Sequence, residues 1–144
     1  MKKMILPLLV MVVALGSCNM ANDDDYKNVA DDMCNCVNKN VTGLSKEFKD
    51  IYSKYGAGDQ ATLEAKMQEY MMNDFEGAMK DMGQMEQVGK KIESCMEESK
   101  KKYKDLYTSD NEKEVQNKVL NELKNAKGCE LSYALFSMGM KETK

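Results

Sequence analysis

The chain's single proline is its seventh residue, so positions 8 to 144 hold nothing that forbids a helix outright. Through that stretch apolar residues recur three and four positions apart, the spacing of one helix face. No run alternates in the way a half-buried strand does. Methionine is abundant, at 14 residues, while valine and isoleucine are few. Helix formers therefore outweigh the β-branched residues that strands favour, and the predicted fold class is all-α.

Tyr26 to Tyr55 reads as the first helix. Tyr26, Val29, Ala30, Met33, Val37, Val41, Leu44, Phe48, Ile51 and Tyr55 fall in one stripe when each residue turns about 100°. Gly43 is a point of weakness inside it. Gly56-Ala57-Gly58-Asp59 ends it, with glycine for the C-terminal cap and Asp59 to cap the next helix. The second stretch, Gln60 to Tyr107, carries one apolar face from Leu63 and Met67 through Phe75, Met82 and Met85 to Ile92 and Tyr107. Unbroken, it would be roughly 70 Å long, and Gly77, Gly83 and Gly89 mark where a break costs least. Residues 108–111 make a turn, in which Ser109 followed by Glu112 has capping-box spacing. The last helix carries Val115, Val119, Leu123 and Ala126. After a kink at Gly128 it continues with Leu131, Ala134, Leu135 and Met138.

Lys2 and Lys3 precede an uncharged run of twelve residues, Met4 to Leu15. As a helix this run spans roughly 18 Å, too short for a hydrocarbon core of about 30 Å, so it reads as a secretory signal. Leu15-Gly16-Ser17-Cys18 follows. The segment resembles the signal peptide and lipobox of bacterial lipoproteins: an aliphatic residue, two small residues, then the modified cysteine. The resemblance covers residues 1–18. It implies a lipid on the Cys18 sulfur, removal of residues 1–17 and acylation of the new amine. Stable anchoring needs more than one such chain. The expected location is the bacterial cell envelope, lipid-anchored in the outer membrane and facing the periplasm or the cell surface. Residues 18–25 are then the lipidated cysteine and an acidic tether, and residues 26–144 the helical domain. Asp23-Asp24-Asp25 is similar to acidic runs that mark surface export in some Gram-negative lineages, although those follow the cysteine more closely. The same charges suit the N-terminus of the following helix.

Cleavage before Cys18 leaves 127 residues, enough for one modest core. Two of the 21 lysines go with the signal, leaving 19 against 24 acids and a side-chain charge of −5. An acidic chain with scattered lysines argues against nucleic acid as a partner. The sequence has no Arg, His or Trp. That removes bidentate anion clamps, Ser-His-Asp and Cys-His catalysis, and ordinary zinc sites. No catalytic residue and no cofactor is expected. The expected partners are the membrane, through the anchor, and a protein of the envelope. Lys90-Lys91 and Lys100-Lys101-Lys102 read as solvated helix faces within reach of anionic headgroups.

Setting Cys18 aside, Cys34, Cys36, Cys95 and Cys129 make an even number in an exported chain, which reads as two disulfides. Cys34 and Cys36 in one helix point about 200° apart and cannot bond each other. They flank the apolar stripe on opposite sides, so one reaches Cys95 and the other Cys129, in either assignment. A straight hairpin about residues 56–59 would set Cys34 level with Asp81, roughly 20 Å short of Cys95, whereas a disulfide tolerates about 7 Å between Cα atoms. The long helix must therefore break, and Gly77 to Gly89 is the expected place. The picture is a disulfide-stapled bundle of three to four helices, from residues 26–41, 84–107 and 111–140, with residues 44–76 as a projecting helical hairpin. A reactive Cys-x-Cys pair is the functional alternative, but Asp31 and Asp32 beside it oppose thiolate formation.

Met79, Met82 and Met85 form an M-x-x-M series that suits Cu(I), a soft ion, in the periplasm. A periplasmic copper-binding protein is thus the alternative to a binding module. The same spacing is that of a helix core, and methionine is a common core filler. An adaptable methionine-rich surface for a partner is the third reading.

Overall fold

The computed structural model describes residues 23–107 and 111–142. They form six helices: α1 (Asp23–Asn40), α2 (Lys46–Tyr55), α3 (Gln60–Asn73), α4 (Phe75–Lys102), α5 (Glu112–Asn125) and α6 (Glu130–Glu142). Among the described residues there is no strand. Cys18 and Ser109 lie outside them, and with them the lipidation and capping-box expectations.

α1 begins at Asp23, so the last three residues assigned to the tether are its first turn. Three carboxylates there suit the positive end of the helix dipole. The expected helix from Tyr26 to Tyr55 is two helices. After Asn40 the chain turns through Val41–Leu44, and Ser45 restarts it by accepting the Phe48 N–H at 3.2 Å. Gly56 follows α2 with a right-handed φ of −62°, so its use is space rather than backbone freedom. A Cβ there would come within 3.0 Å of the Ala134 Cβ on α6. Asp59 caps α3 as expected, through Thr62 N at 3.1 Å and Thr62 Oγ1 at 3.0 Å.

The long stretch breaks at Asp74, three residues before the expected window. The Asp74 carboxylate accepts the Gly77 N–H at 2.9 Å and starts a new helix. Gly77 serves this cap, because a Cβ on it would collide with that carboxylate. α4 then runs unbroken through Gly83 and Gly89 for 28 residues, about 42 Å. A good cap decides the break, because glycine inside a packed helix costs only about 0.5–1 kcal/mol. Gly128 has φ +82°, in the region that glycine favours, and here the expected kink is a full break between α5 and α6.

α1 is the spine of the bundle. α4, α5 and α6 pack on it, α2 lies along α6, and α3 lies against α2 and α4. The helical hairpin is α2–α3; its α2 arm rests on α6, and α3 is the outlying arm. The core has two halves. One gathers Tyr26, Val29, Met33, Val115, Val119 and Leu123; the other gathers Val37, Phe48, Tyr70, Val88, Ile92 and Leu131. Phe136 packs against both.

The disulfides resolve the open assignment. Cys34 bonds Cys129, with Cα atoms 5.4 Å apart, and Cys36 bonds Cys95, at 6.4 Å. The first is buried among the α1–α5 core residues, and the second is half-exposed. The Asn40 side-chain amide donates to the Cys36 carbonyl at 2.9 Å and sits 3.4 Å from the Cys36 sulfur. Cys34 and Cys36 thus leave opposite flanks of α1 for different helices, as the helical wheel requires.

Candidate interaction surface at the α3–α4 joint

Asp81 is 2% exposed, the most deeply buried charged residue described, and it fixes the orientation of α4. Its carboxylate accepts the Ser45 N–H at 3.0 Å, the Ser45 hydroxyl, and the Tyr70 hydroxyl at 2.9 Å. One side chain therefore ties the N-terminus of α2 and the last turn of α3 to α4. Burial pushes its pKa up, but the hydrogen bonds from Ser45 and Tyr70 outweigh burial, and the carboxyl sits below its ordinary value. Tyr70 is moved the other way: the Ser45 contact lowers its pKa, but burial and the Asp81 charge prevail and raise it. Enclosed this way, the Asp81 carboxylate is a structural acceptor with no face open to a substrate.

With Asp81 and Ala78 turned inward, Phe75, Met79 and Met82 share an outer face at i, i+4 and i+7. They are 67%, 50% and 43% exposed, and Met72 at the end of α3 is 81% exposed. These are the large apolar side chains that stand out to solvent among the described residues, and all four lie within eleven positions. Phe75 and Met82 were expected inside. Both lie at one edge of the expected stripe, and α4 turns the other edge, through Asp81 and Val88, to the core. The inward face of α4 is Ala78, Asp81, Val88, Ile92 and Ser99.

The methionine series therefore divides. Met85 packs into the core with Met67 and Met71, while Met79 and Met82 point to solvent. The three thioethers do not form one cluster, so the structure gives no support to the copper reading of Met79, Met82 and Met85. Among the described residues no group of three or more Cys, Asp or Glu side chains is placed to hold a metal ion.

At the other end of α4, Lys102 pairs with Asp32 of α1, and the Tyr103 hydroxyl donates to the same carboxylate at 2.7 Å. The Lys102 hydrogen bond is the largest influence on Asp32; burial opposes it, Tyr103 supports it, and the carboxyl ends below its ordinary value. The charge runs 97–102 are otherwise exposed, as expected of a solvated face.

The Ser45–Tyr70–Asp81 network has no motif in the sequence. Its one trace is an acid three residues after Ala78 on a face that continues to Val88, and the spacing alone does not say which donors it meets. No helix among the described residues is long and apolar enough to cross a membrane. No protein-family model, no characterised protein and no solved structure matches the chain.

Proposed function

We propose that this chain is a lipid-anchored protein of the bacterial envelope whose helical domain engages an envelope protein through Met72, Phe75, Met79 and Met82. The observation that carries this reading is the gathering of the exposed large apolar side chains into one patch, since such patches mark interaction sites. Methionine suits the role, because its flexible, polarisable side chain repacks against an uneven partner. The lipobox-like segment ending at Cys18 supports the anchor, and two disulfides suit an oxidising compartment.

The long axis of the molecule supports the direction of contact. Cys18 precedes α1 by five positions, and Asp32 of α1 holds Lys102 at the C-terminal end of α4. Phe75 lies 27 residues back along α4, roughly 40 Å away. The patch therefore sits at the end of α4 remote from the start of α1, and an anchor at Cys18 would leave it free to meet a neighbour.

A photoreactive amino acid at Met79, with a second strain carrying it at Lys113 on α5, tests the reading in living cells. A discrete adduct from position 79 that is absent from position 113, and lost when Phe75→Ser is added, is the expected result. Equal labelling from both positions, or none from 79, would sink it.

A further inference from the structure

Between α4 and the α5–α6 pair runs a groove of about 320 Å³, with Met33 of α1 as its floor. Ile92 and Met96 line one wall, and Leu123 and Phe136 the other. Both walls pack on α1, while the backbone of α4 stays farther from α5 and α6, which leaves the space between them. The disulfides hold it so. Cys36–Cys95 bonds the α4 wall to the floor helix, and Cys34–Cys129 bonds the start of α6 to the same helix. An apolar opening whose walls are covalently held is preorganised for a guest.

Two glycines line this groove, Gly89 in α4 and Gly139 in α6. A Cβ on either would meet no atom within 4 Å, so packing within the chain requires neither. Each costs its helix about 0.5–1 kcal/mol relative to alanine. What both do is keep side-chain atoms out of the groove. Gly83 has equally open surroundings but lies outside the groove, which makes it a matched control.

The charges at the groove select the guest. Lys100 is already paired with Glu112, and Glu93 leaves an excess of negative charge. Tyr107 adds a half-buried phenol that stays protonated, its pKa pushed up to about 12 by burial and then by Glu112.

We propose that this groove binds an uncharged molecule with one hydrocarbon chain and a hydroxyl head, of which a medium-chain alcohol is the simplest case. The volume sits at the lower end of small-molecule sites, roughly 300–1,000 Å³, and an apolar lining with a few placed polar groups is typical of them. A carboxylate head of equal chain length meets Glu93 and finds its nearest cation engaged.

The test titrates 1-decanol and decanoate into the full mature chain, oxidised and carrying Cys18→Ser so that it needs no detergent, while methionine methyl NMR signals are followed. Decanol should move the Met33 and Met96 methyls saturably and leave those of Met72 and Met79 still. Decanoate should bind at least about tenfold more weakly at pH 7. Gly89→Leu and Gly139→Leu should each weaken decanol by about tenfold or more without lowering Tm, and Gly83→Leu should change nothing. The proposal fails if decanol moves neither groove methyl up to its solubility, if decanoate binds equally well, or if the three leucine variants behave alike. Movement of Met72 and Met79 alone would place apolar binding at the α3–α4 joint and overturn the groove. The wild-type methyl shifts decide the matter even where a variant folds poorly.

Discussion

Replacing Asp81 with alanine removes the acceptor shared by three donors: the Ser45 N–H, the Ser45 hydroxyl and the Tyr70 hydroxyl. The two hydroxyls lie 3.1 Å apart and can bond each other, which rescues one donor. Two donors remain unsatisfied at about 1–3 kcal/mol each, so the expected loss is about 3 kcal/mol. For a domain of this size that lowers Tm by about 12 °C. Asp81→Asn keeps an oxygen for the Ser45 N–H and lets the hydroxyls turn to accept from the amide, so it should cost only about 1 kcal/mol. The acid pH dependence separates charge from shape. The folded Asp81 pKa lies below its ordinary value of 3.8, so its contribution is fully present above that value and is lost as pH falls through it towards the folded pKa. The stability gap between wild type and Asp81→Asn should therefore narrow below about pH 4. Urea unfolding under non-reducing conditions, followed by far-ultraviolet circular dichroism from pH 3 to 7, measures all of this. A loss under about 0.5 kcal/mol for Asp81→Ala, or a gap that widens on acidification, would refute the role assigned to this network.

The remaining expectations are simpler. Serine at both Cys34 and Cys129 opens a loop with a sequence separation of 95, and at both Cys36 and Cys95 one of 59. Chain entropy predicts losses of about 4–5 kcal/mol for either pair, slightly larger for the first, readable as shifts in urea midpoint. Gly56→Ala forces a methyl against Ala134 and the Tyr52 carbonyl and should cost about 1–3 kcal/mol, whereas Gly89→Ala, with nothing to strike, should gain up to about 1 kcal/mol; thermal melts of the two variants should move in opposite directions. Cys18→Ala should abolish metabolic labelling by radioactive palmitate, and retained label would remove the anchor from the proposed function.

The cysteines and the periodicity made much of this fold legible. Cys34 and Cys36, two residues apart on a helix, had to leave α1 in different directions, and together with Cys95 and Cys129 they required a break in the long stretch. The place of the break was not legible, because it was sought at glycines. Asp74 decided it instead, through a cap whose value depends on the Gly77 N–H lying within reach. Phe75 and Met82, at one edge of the expected stripe, face solvent instead of the core. Asp81 lies on the same stripe as Ala78 and Val88, but an acid there gives no sign of the Ser45 and Tyr70 donors that satisfy it. Gly56 was read for its backbone freedom, yet its use is to let α2 approach Ala134, a contact 78 positions away that no local pattern encodes.

The placement of the staples gives the two ends of the molecule different supports. Cys34, Cys36, Cys95 and Cys129 all join α1 to the α4 and α6 segments beside its middle, and no disulfide reaches α2, α3 or the first half of α4. Those elements depend on apolar contact and on the Asp81 network, which links all three. The proposed interaction surface sits on this less restrained end, where α3 and α4 can adjust to a partner. The groove sits between walls that are covalently tied to one helix, and a wall tied at a fixed distance keeps its opening whether or not a guest is present. An adaptable surface and a preformed groove ask for opposite mechanical support. The chain supplies each by where its cysteines fall: around the groove, and away from the α3–α4 joint.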